Sequence, residues 1–210
     1  MSPSARRDEV IRVFERYLVE VVERYDLCPW ARGAREQGQV GVEVVWGTPS
    51  GEAWVAAAQA QLARPGVRVV MVIAPELGGG PGALRKVREL MVARIPSAGI
   101  ADFHPESPLD LATPARLVPY LRRSPDPLIQ LVPLTILDQV RGPRTGSGIA
   151  TQAQMLGGLV PPSRPDLADR IAAANHATVL EVQDELATTL ADIAEDRARS
   201  YAKLEITSSR

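Results

Sequence analysis

The sequence predicts an α/β protein: a layered sheet of about four strands that alternate with helices, followed by a long C-terminal helical arm. Hydrophobic residues make up 45% of the 210 residues and charged residues 23%, which are the proportions of an ordinary globular protein. Short β-branched segments alternate with helical patterns along roughly the first 140 residues, as in layered α/β folds. A further helical pattern near the C-terminus adds the arm.

Apolar spacing and turn residues place the individual elements. Apolar residues three and four apart predict helices, and short β-branched runs between turn residues predict strands. The predicted strands cover residues 40–46, 67–74, 100–103 and 128–132. The predicted helices of this region cover residues 4–26, 53–62, 83–93 and 114–121. The pattern leaves open whether every strand is parallel.

Two breaks rich in glycine and proline, at residues 141–148 and 160–165, separate the sheet from the arm. We therefore expect an α/β domain over residues 1–160 and a helical arm over residues 161–210. One continuous helix up to about residue 204 would extend roughly 60 Å at 1.5 Å per residue, beyond the width of the domain. The arm is thus expected to pack on the domain or on a partner, for example as a homodimer.

Net charge and composition limit the classes of binding partner and the cellular location that we expect. The formal net charge is -1, so no global field draws the protein to nucleic acid or to an anionic membrane, and neither is an expected partner. No apolar run approaches the roughly 18 residues of a membrane span. A single cysteine cannot form an internal disulfide, and the N-terminal residues lack a secretory apolar stretch. These features predict a cytoplasmic protein.

The single cysteine, Cys28, is the first candidate for chemistry. Pro29 disfavours helical geometry in the residue before it, so Cys28 is expected in a turn at the end of the first helix, beside Trp30. Arg32 and Arg35 would favour the thiolate if they lay close to it, whereas the helix C-terminus disfavours it. The alternative is a small buried hydrophobic residue.

His104 is the second candidate, because it follows a predicted strand at the position where α/β sheets hold ligands. Carboxylates of Asp102 and Glu106 could fix its tautomer and raise its basicity. The alternative is a structural histidine at a strand end. His176 lies inside the predicted C-terminal helix and is interpreted as an exposed or interfacial residue.

Two further segments could bind an anion. Arg122, Arg123 and Ser124 form a basic turn before the strand at 128–132, where arginines can hold a carboxylate or phosphate bidentately. The glycine loop, which we define as residues 78–82, joins a strand to a helix and could present backbone N–H groups. Its glycines are Gly78, Gly79, Gly80 and Gly82. The alternatives are a solvated surface turn and a flexible loop without the ending of a P-loop.

No metal and no cofactor are expected, because one cysteine and two histidines offer no close-spaced ligand motif. Three motifs, at residues 27–30, 103–105 and 123–127, together resemble the uncharacterised bacterial family known as domain of unknown function 1415. That family typically shows Leu-Cys-Pro-aromatic, Phe-His-Pro and Arg-Ser-Pro-x-Pro in this order, and the resemblance covers about residues 10–140. It implies a shared cysteine-histidine-arginine centre and no particular reaction.

The sequence departs from the family pattern at two places: Arg122 stands where asparagine is usual, and Gln130 where histidine is common. The leading hypothesis is a small-molecule enzyme acting on an anionic metabolite, with Cys28 as nucleophile or redox thiol, His104 as general base and Arg123 as clamp. Supporting contacts to the substrate would come from Arg122, Ser124, Trp30 and Glu106. The alternatives are a non-catalytic anion- or metabolite-binding module and an assembly component joined through the helical arm.

Overall fold

A four-stranded mixed sheet forms the centre of the fold in the computed structural model, which describes residues 2–141 and 167–207. The strands are β1 (Val40–Val44), β2 (Val69–Ile73), β3 (Ala98–Phe103) and β4 (Leu128–Pro133). Their order is β1-β2-β4-β3, with β1 parallel to β2 and β4 antiparallel to both of its neighbours. The predicted α/β class is confirmed, and the sheet is mixed rather than wholly parallel.

The strand register places the ends of β1, β2 and β3 and the start of β4 at one edge of the sheet. Val44 at the end of β1 pairs with Ile73 at the end of β2. Ile73 pairs with Leu128, the first residue of β4, and Leu128 pairs with Phe103 at the end of β3. The loops after β1, β2 and β3 and the turn before β4 therefore lie together, and we call this side the carboxyl edge.

Helices cover both faces of the sheet. They are α1 (Pro3–Tyr17), α2 (Ala31–Glu36), α3 (Gly51–Leu62), α4 (Gly80–Arg94), α5 (Pro114–Leu121), α6 (Leu134–Arg141) and α7 (Leu167–Lys203). Side chains alternate between the two faces of a strand. Met71 and Ile73 of β2 accordingly join the core under α1, α5 and α7, whereas Val70 and Val72 join the core under α3 and α4. The result is a sheet between two helical layers.

The first helix differs from the continuous helix predicted over residues 4–26. The α-helix ends at Tyr17 and continues as a π-helix over Leu18–Glu23. The backbone N–H of Leu27 donates to the Val22 carbonyl over 2.9 Å, a bond that spans five residues. The chain then turns at Asp26, whose φ of 50° lies in the left-handed region. A pattern of three-and-four spacing does not distinguish these two helical forms over six residues.

Two short helices, α2 and α6, have no counterpart among the predicted elements. α2 spans six residues and buries none of them, so it has no apolar stripe for the sequence to reveal. α6 follows β4 directly, and Pro133 at the junction is the single turn residue between the strand and the helix.

The C-terminal helix α7 bends and packs on its own chain. Its backbone departs from helical geometry at Val182, with φ of -113° and ψ of 20°. Buried residues on both sides of this kink, among them Val179 and Leu186, join the core formed with α1 and α5. The predicted breaks beyond Arg141 and the predicted boundary at residue 160 lie outside the described residues.

A buried charge cluster attaches α7 to the carboxyl edge. Asp126, in the turn before β4, is 1% exposed. Its carboxylate accepts hydrogen bonds from Arg197 Nε over 2.7 Å and from the Tyr201 hydroxyl over 2.6 Å. Arg197 also donates to the Pro75 carbonyl in the loop after β2, over 3.1 Å. Burial raises the pKa of Asp126, while Arg197 and the Tyr201 hydroxyl act in the opposite direction. One side of α7 is therefore bound to two loops of the sheet.

An ion-pair network joins α7 to α1 nearer the surface. The carboxylate of Asp196 lies 2.9 Å from Arg12 Nη1 and 2.7 Å from Arg16 Nη1. Arg16 also pairs with Asp192 over 2.7 Å. Hydrogen bonds from Arg12 and Arg16 lower the pKa of Asp196 to about 2.

We expect Arg197→Ala to destabilise the fold by about 3 to 5 kcal/mol, because it leaves the buried Asp126 carboxylate without its cation. Tyr201→Phe should lower the free energy of unfolding by about 1.5 to 3 kcal/mol, since it removes one hydrogen bond to a charged group. The control is Arg199→Ala, which removes an exposed arginine two positions away and should change stability by less than about 0.5 kcal/mol. Urea unfolding measures all three, and equal effects of Arg197→Ala and Arg199→Ala would contradict the assignment.

The pKa of Asp196 predicts an acid-sensitive contact between α1 and α7. Its value falls from 3.8 to about 2 on folding, so the stabilisation is complete above pH 3.8 and is lost as the pH falls towards 2. Asp196→Asn should therefore be less stable than wild type near neutral pH, and the difference should shrink in acid. Urea unfolding over a pH series measures this, with Glu195→Gln as the neighbouring exposed control. A difference that is constant with pH would count against the network.

Candidate functional site

The carboxyl edge brings the histidine and arginine motifs into contact. The backbone N–H of His104 donates to the Arg122 carbonyl over 3.0 Å. Arg123 Nε donates to the Pro105 carbonyl over 2.7 Å, across 18 residues of sequence. The end of β3 and the turn before β4 thus form one continuous surface, as expected from the end-of-strand positions of both motifs.

His104 is buried and held by backbone hydrogen bonds. Its side-chain Nδ1 accepts a hydrogen bond from the Glu106 backbone N–H over 3.1 Å, so the neutral ring carries its proton on Nε2. Burial lowers the pKa of His104, and the carboxylates of Glu106 and Asp102 oppose that shift. The ring is therefore a neutral hydrogen-bond donor at pH 7, and this tautomer does not favour the general-base role, which stays a prediction.

Arg123 is exposed, but its position is fixed. The bond from Nε to the Pro105 carbonyl holds the guanidinium plane, and Cζ lies 6.0 Å from the centre of the Tyr120 ring. Burial raises the pKa of Tyr120, although Arg123 acts against the shift, so the hydroxyl is a neutral phenol at pH 7. In the part of the chain that the structure describes, the two terminal nitrogens of Arg123 have no hydrogen-bond partner.

A cleft of about 160 Å³ lies beside Arg123, between the turn before β4 and helix α7. Its walls come from Pro105, Tyr120, Arg123, Ser124 and Pro125 on one side, and from Ala187, Leu190, Ala191, Ile193 and Ala194 of α7 on the other. The Ser124 hydroxyl donates to the Asp126 carbonyl over 2.5 Å, so its proton is used within the turn. Its oxygen can only accept, and the predicted donation from Ser124 to an anion is not favoured.

Arg122 is directed away from this cleft. Its Cζ lies 5.8 Å from the centre of the Phe103 ring, and burial lowers the pKa of its guanidinium. Burial also raises the pKa of Tyr17. The charge of Arg122 opposes that shift and Cys28 adds to it, so Arg122 and Cys28 both lie near the Tyr17 hydroxyl. The structure therefore brings Cys28 towards Arg122, and no hydrogen bond or ion pair within residues 2–141 and 167–207 joins Cys28 to His104 or Arg123.

Cys28 lies half-buried in a bend between the π-helix and α2, so the expected turn is confirmed. Burial raises the pKa of its thiol, and the Asp26 carboxylate adds to this effect. The backbone N–H groups of Trp30 and Ala31 point to the sulfur and act in the opposite direction. Because burial is the largest influence, the group is a protonated thiol at pH 7.

The arginines expected to activate Cys28 are paired elsewhere. Arg35 Nε lies 2.6 Å from the Glu23 carboxylate, and Arg32 lies 3.9 Å from the same group. Glu23 is buried at the end of the π-helix, so it attracts both cations. The condition for stabilising a thiolate, that Arg32 and Arg35 lie close to it, is therefore not favoured, and neither arginine is among the groups that shift the Cys28 pKa. Trp30, assigned to substrate binding, is 44% exposed on the surface.

The glycine loop contains the start of α4. Gly79 and Gly80 have φ of 88° and 66°, so larger residues would be strained there. A Cβ atom at Gly80 would lie 3.6 Å from Glu106 Oε2. The Glu106 carboxylate thus lies beside the helix N-terminus, where it would repel a second anion. The predicted anion-binding role of Gly78, Gly79, Gly80 and Gly82 is not favoured by this geometry.

Several residues that shape the site carry no strong signal in the sequence. Asp126 and Arg197 are 71 positions apart, and Tyr120 and the alanines of α7 look like ordinary helix residues. The four-residue spacing of Arg197 and Tyr201 places them on one helix face, which is the available clue. His176, interpreted as exposed or interfacial, is partly buried with Nε2 2.9 Å from the Leu111 carbonyl, and its neighbour Asn175 donates to the Leu27 carbonyl over 3.0 Å.

Because the Cys28 pKa is raised, we expect slow alkylation of the native protein by iodoacetamide at pH 7. A raised pKa lowers the thiolate fraction, and burial limits access to the sulfur, so the native rate should lie below that of the urea-unfolded chain. The single cysteine makes the unfolded chain its own control, followed by mass spectrometry. A native rate above the unfolded rate would show an activated thiolate and restore Cys28 as a nucleophile.

No family model matches the chain, and comparisons with curated proteins and with solved structures found no significant match. The likeness to domain of unknown function 1415 therefore remains a resemblance of three short motifs. Within the described ranges, no group of three or more histidine, cysteine, aspartate or glutamate residues is placed to hold a metal ion. None of the helices in those ranges is both long and apolar enough to cross a membrane.

Proposed function

We propose that this protein binds a small anionic molecule without covalent chemistry, in the cleft beside Arg123. The observation that carries the proposal is the guanidinium itself: its Nε is fixed by the Pro105 carbonyl, and Arg123 is one of the residues that line the cleft. An arginine held in this way can bind a carboxylate or phosphate oxygen pair with little loss of side-chain entropy.

The charge distribution of the cleft supports an anion. Arg123 is the one charged residue among the described residues that line it, and the other walls are alkyl, proline, serine or neutral phenol groups. No acidic side chain of those walls competes for the guanidinium.

The enzyme hypothesis has weaker geometric support. Cys28 is a protonated thiol on the side of Arg122, and His104 uses Nδ1 to accept a backbone hydrogen bond. Neither group contributes to the walls of the cleft. The Cys28, His104 and Arg123 centre therefore stays a prediction, and the binding module is the function that the arrangement favours. The homodimer also stays a prediction, because α7 buries its apolar residues against its own chain.

Arg123→Gln should weaken anion binding about 10- to 100-fold, because it removes the charge-assisted hydrogen bonds of the guanidinium. Titration calorimetry with acetate, benzoate and inorganic phosphate would measure the change. The matched control is Arg85→Gln, which replaces an exposed arginine on α4 away from the cleft and should bind like wild type. Absence of saturable binding by all three anions, or equal affinities for the two variants, would contradict the proposal.

A further inference from the structure

The cleft has one charged end and a wall made largely of small alkyl groups. Ala187, Ala191 and Ala194 recur on α7 at spacings of four and three residues, so they share one helix face. Leu190 and Ile193 complete this apolar wall, which faces Arg123 across the cleft. A ligand that fills the space must therefore present a negative group to Arg123 and an apolar body to the alanines.

The volume of the cleft limits the size of the apolar body that it can enclose. An engineered cavity of about 150 Å³ in another protein holds one benzene molecule, and the cleft here measures about 160 Å³. Sites for drug-sized ligands and cofactors usually occupy about 300 to 1,000 Å³. The cleft therefore takes up a body of one ring or a short branched chain, and the rest of a larger ligand such as a nucleotide would lie in solvent.

The number of positive charges in the cleft limits the charge of the negative group that it can bind. Arg123 supplies one positive charge, and no second cation belongs to the described lining. A carboxylate matches this charge and the two terminal nitrogens of a guanidinium. A doubly charged phosphate would leave one negative charge uncompensated against apolar walls, which is costly.

We propose that the ligand is a monocarboxylate with a compact apolar body, of the size of benzoate or isobutyrate. This inference rests on the proposed function, since it names the class of anion that the Arg123 cleft accepts. The carboxylate binds the terminal nitrogens of Arg123, and the body packs on the alanine wall of α7. Each added methylene that enters the cleft should tighten binding about fourfold.

The test measures dissociation constants of acetate, isobutyrate, benzoate, benzyl alcohol and inorganic phosphate by titration calorimetry, using the full chain. Benzoate and isobutyrate should bind at least about tenfold more tightly than acetate, and benzyl alcohol and phosphate more weakly than benzoate. Ala191→Leu adds a side chain into the cleft and should weaken benzoate binding at least tenfold with little effect on acetate. Ala173→Leu, at an exposed position of α7 outside the cleft, is the matched control.

The outcomes separate the two proposals. If acetate, phosphate and benzoate bind alike and depend on Arg123, and Ala191→Leu changes none of them, the anion site stands and the monocarboxylate class is overturned. If benzoate binds equally well to Arg123→Gln, or if no anion binds, the site itself is overturned. Ala187→Leu is a second substitution in the same wall, to be used if Ala191→Leu does not fold by circular dichroism.

Discussion

The buried carboxylate of Asp126 is the contact on which the rest of the molecule depends. Arg197 and Tyr201 reach it from α7, and Arg197 also binds the loop after β2. In some proteins a buried ion pair specifies one arrangement rather than adding net stability, because removing charges from water is costly. In this protein the arrangement chosen is the position of α7 over the carboxyl edge.

The cleft beside Arg123 follows from that position. One wall belongs to the turn before β4 and the other to α7, and the hydrogen bond between Asp126 and Arg197 joins these two elements. The turn is fixed on its other side by the bond from Arg123 to Pro105. The proposed ligand would therefore meet a surface that needs little reorganisation, which lowers the entropy cost of binding.

Much of the fold could be predicted from the sequence, whereas only part of the site could. The β-branched run that forms β2 and the alternation of strands with helices are local patterns, and they placed the ends of the four strands to within two residues. The contact between His104 and Arg122 agrees with both lying at strand ends. Side-chain direction is different, because it depends on tertiary packing. Arg122 and Arg123 are adjacent in sequence, yet Arg122 lies over the Phe103 ring and Arg123 over the Tyr120 ring. Arg35 is paired with Glu23 rather than with Cys28.

The non-helical backbone at Val182 divides α7 into two segments that contact different parts of the chain. The first segment packs over the bend at Leu27, to which Asn175 is hydrogen-bonded. It also packs over the loop at Leu111, which His176 contacts. The second segment carries Arg197 and the wall of the cleft. Transient unravelling of the first segment would uncover the bend that holds the sulfur while the second segment stays anchored. Exposure of the thiol would therefore not require movement of the cleft wall that the second segment forms.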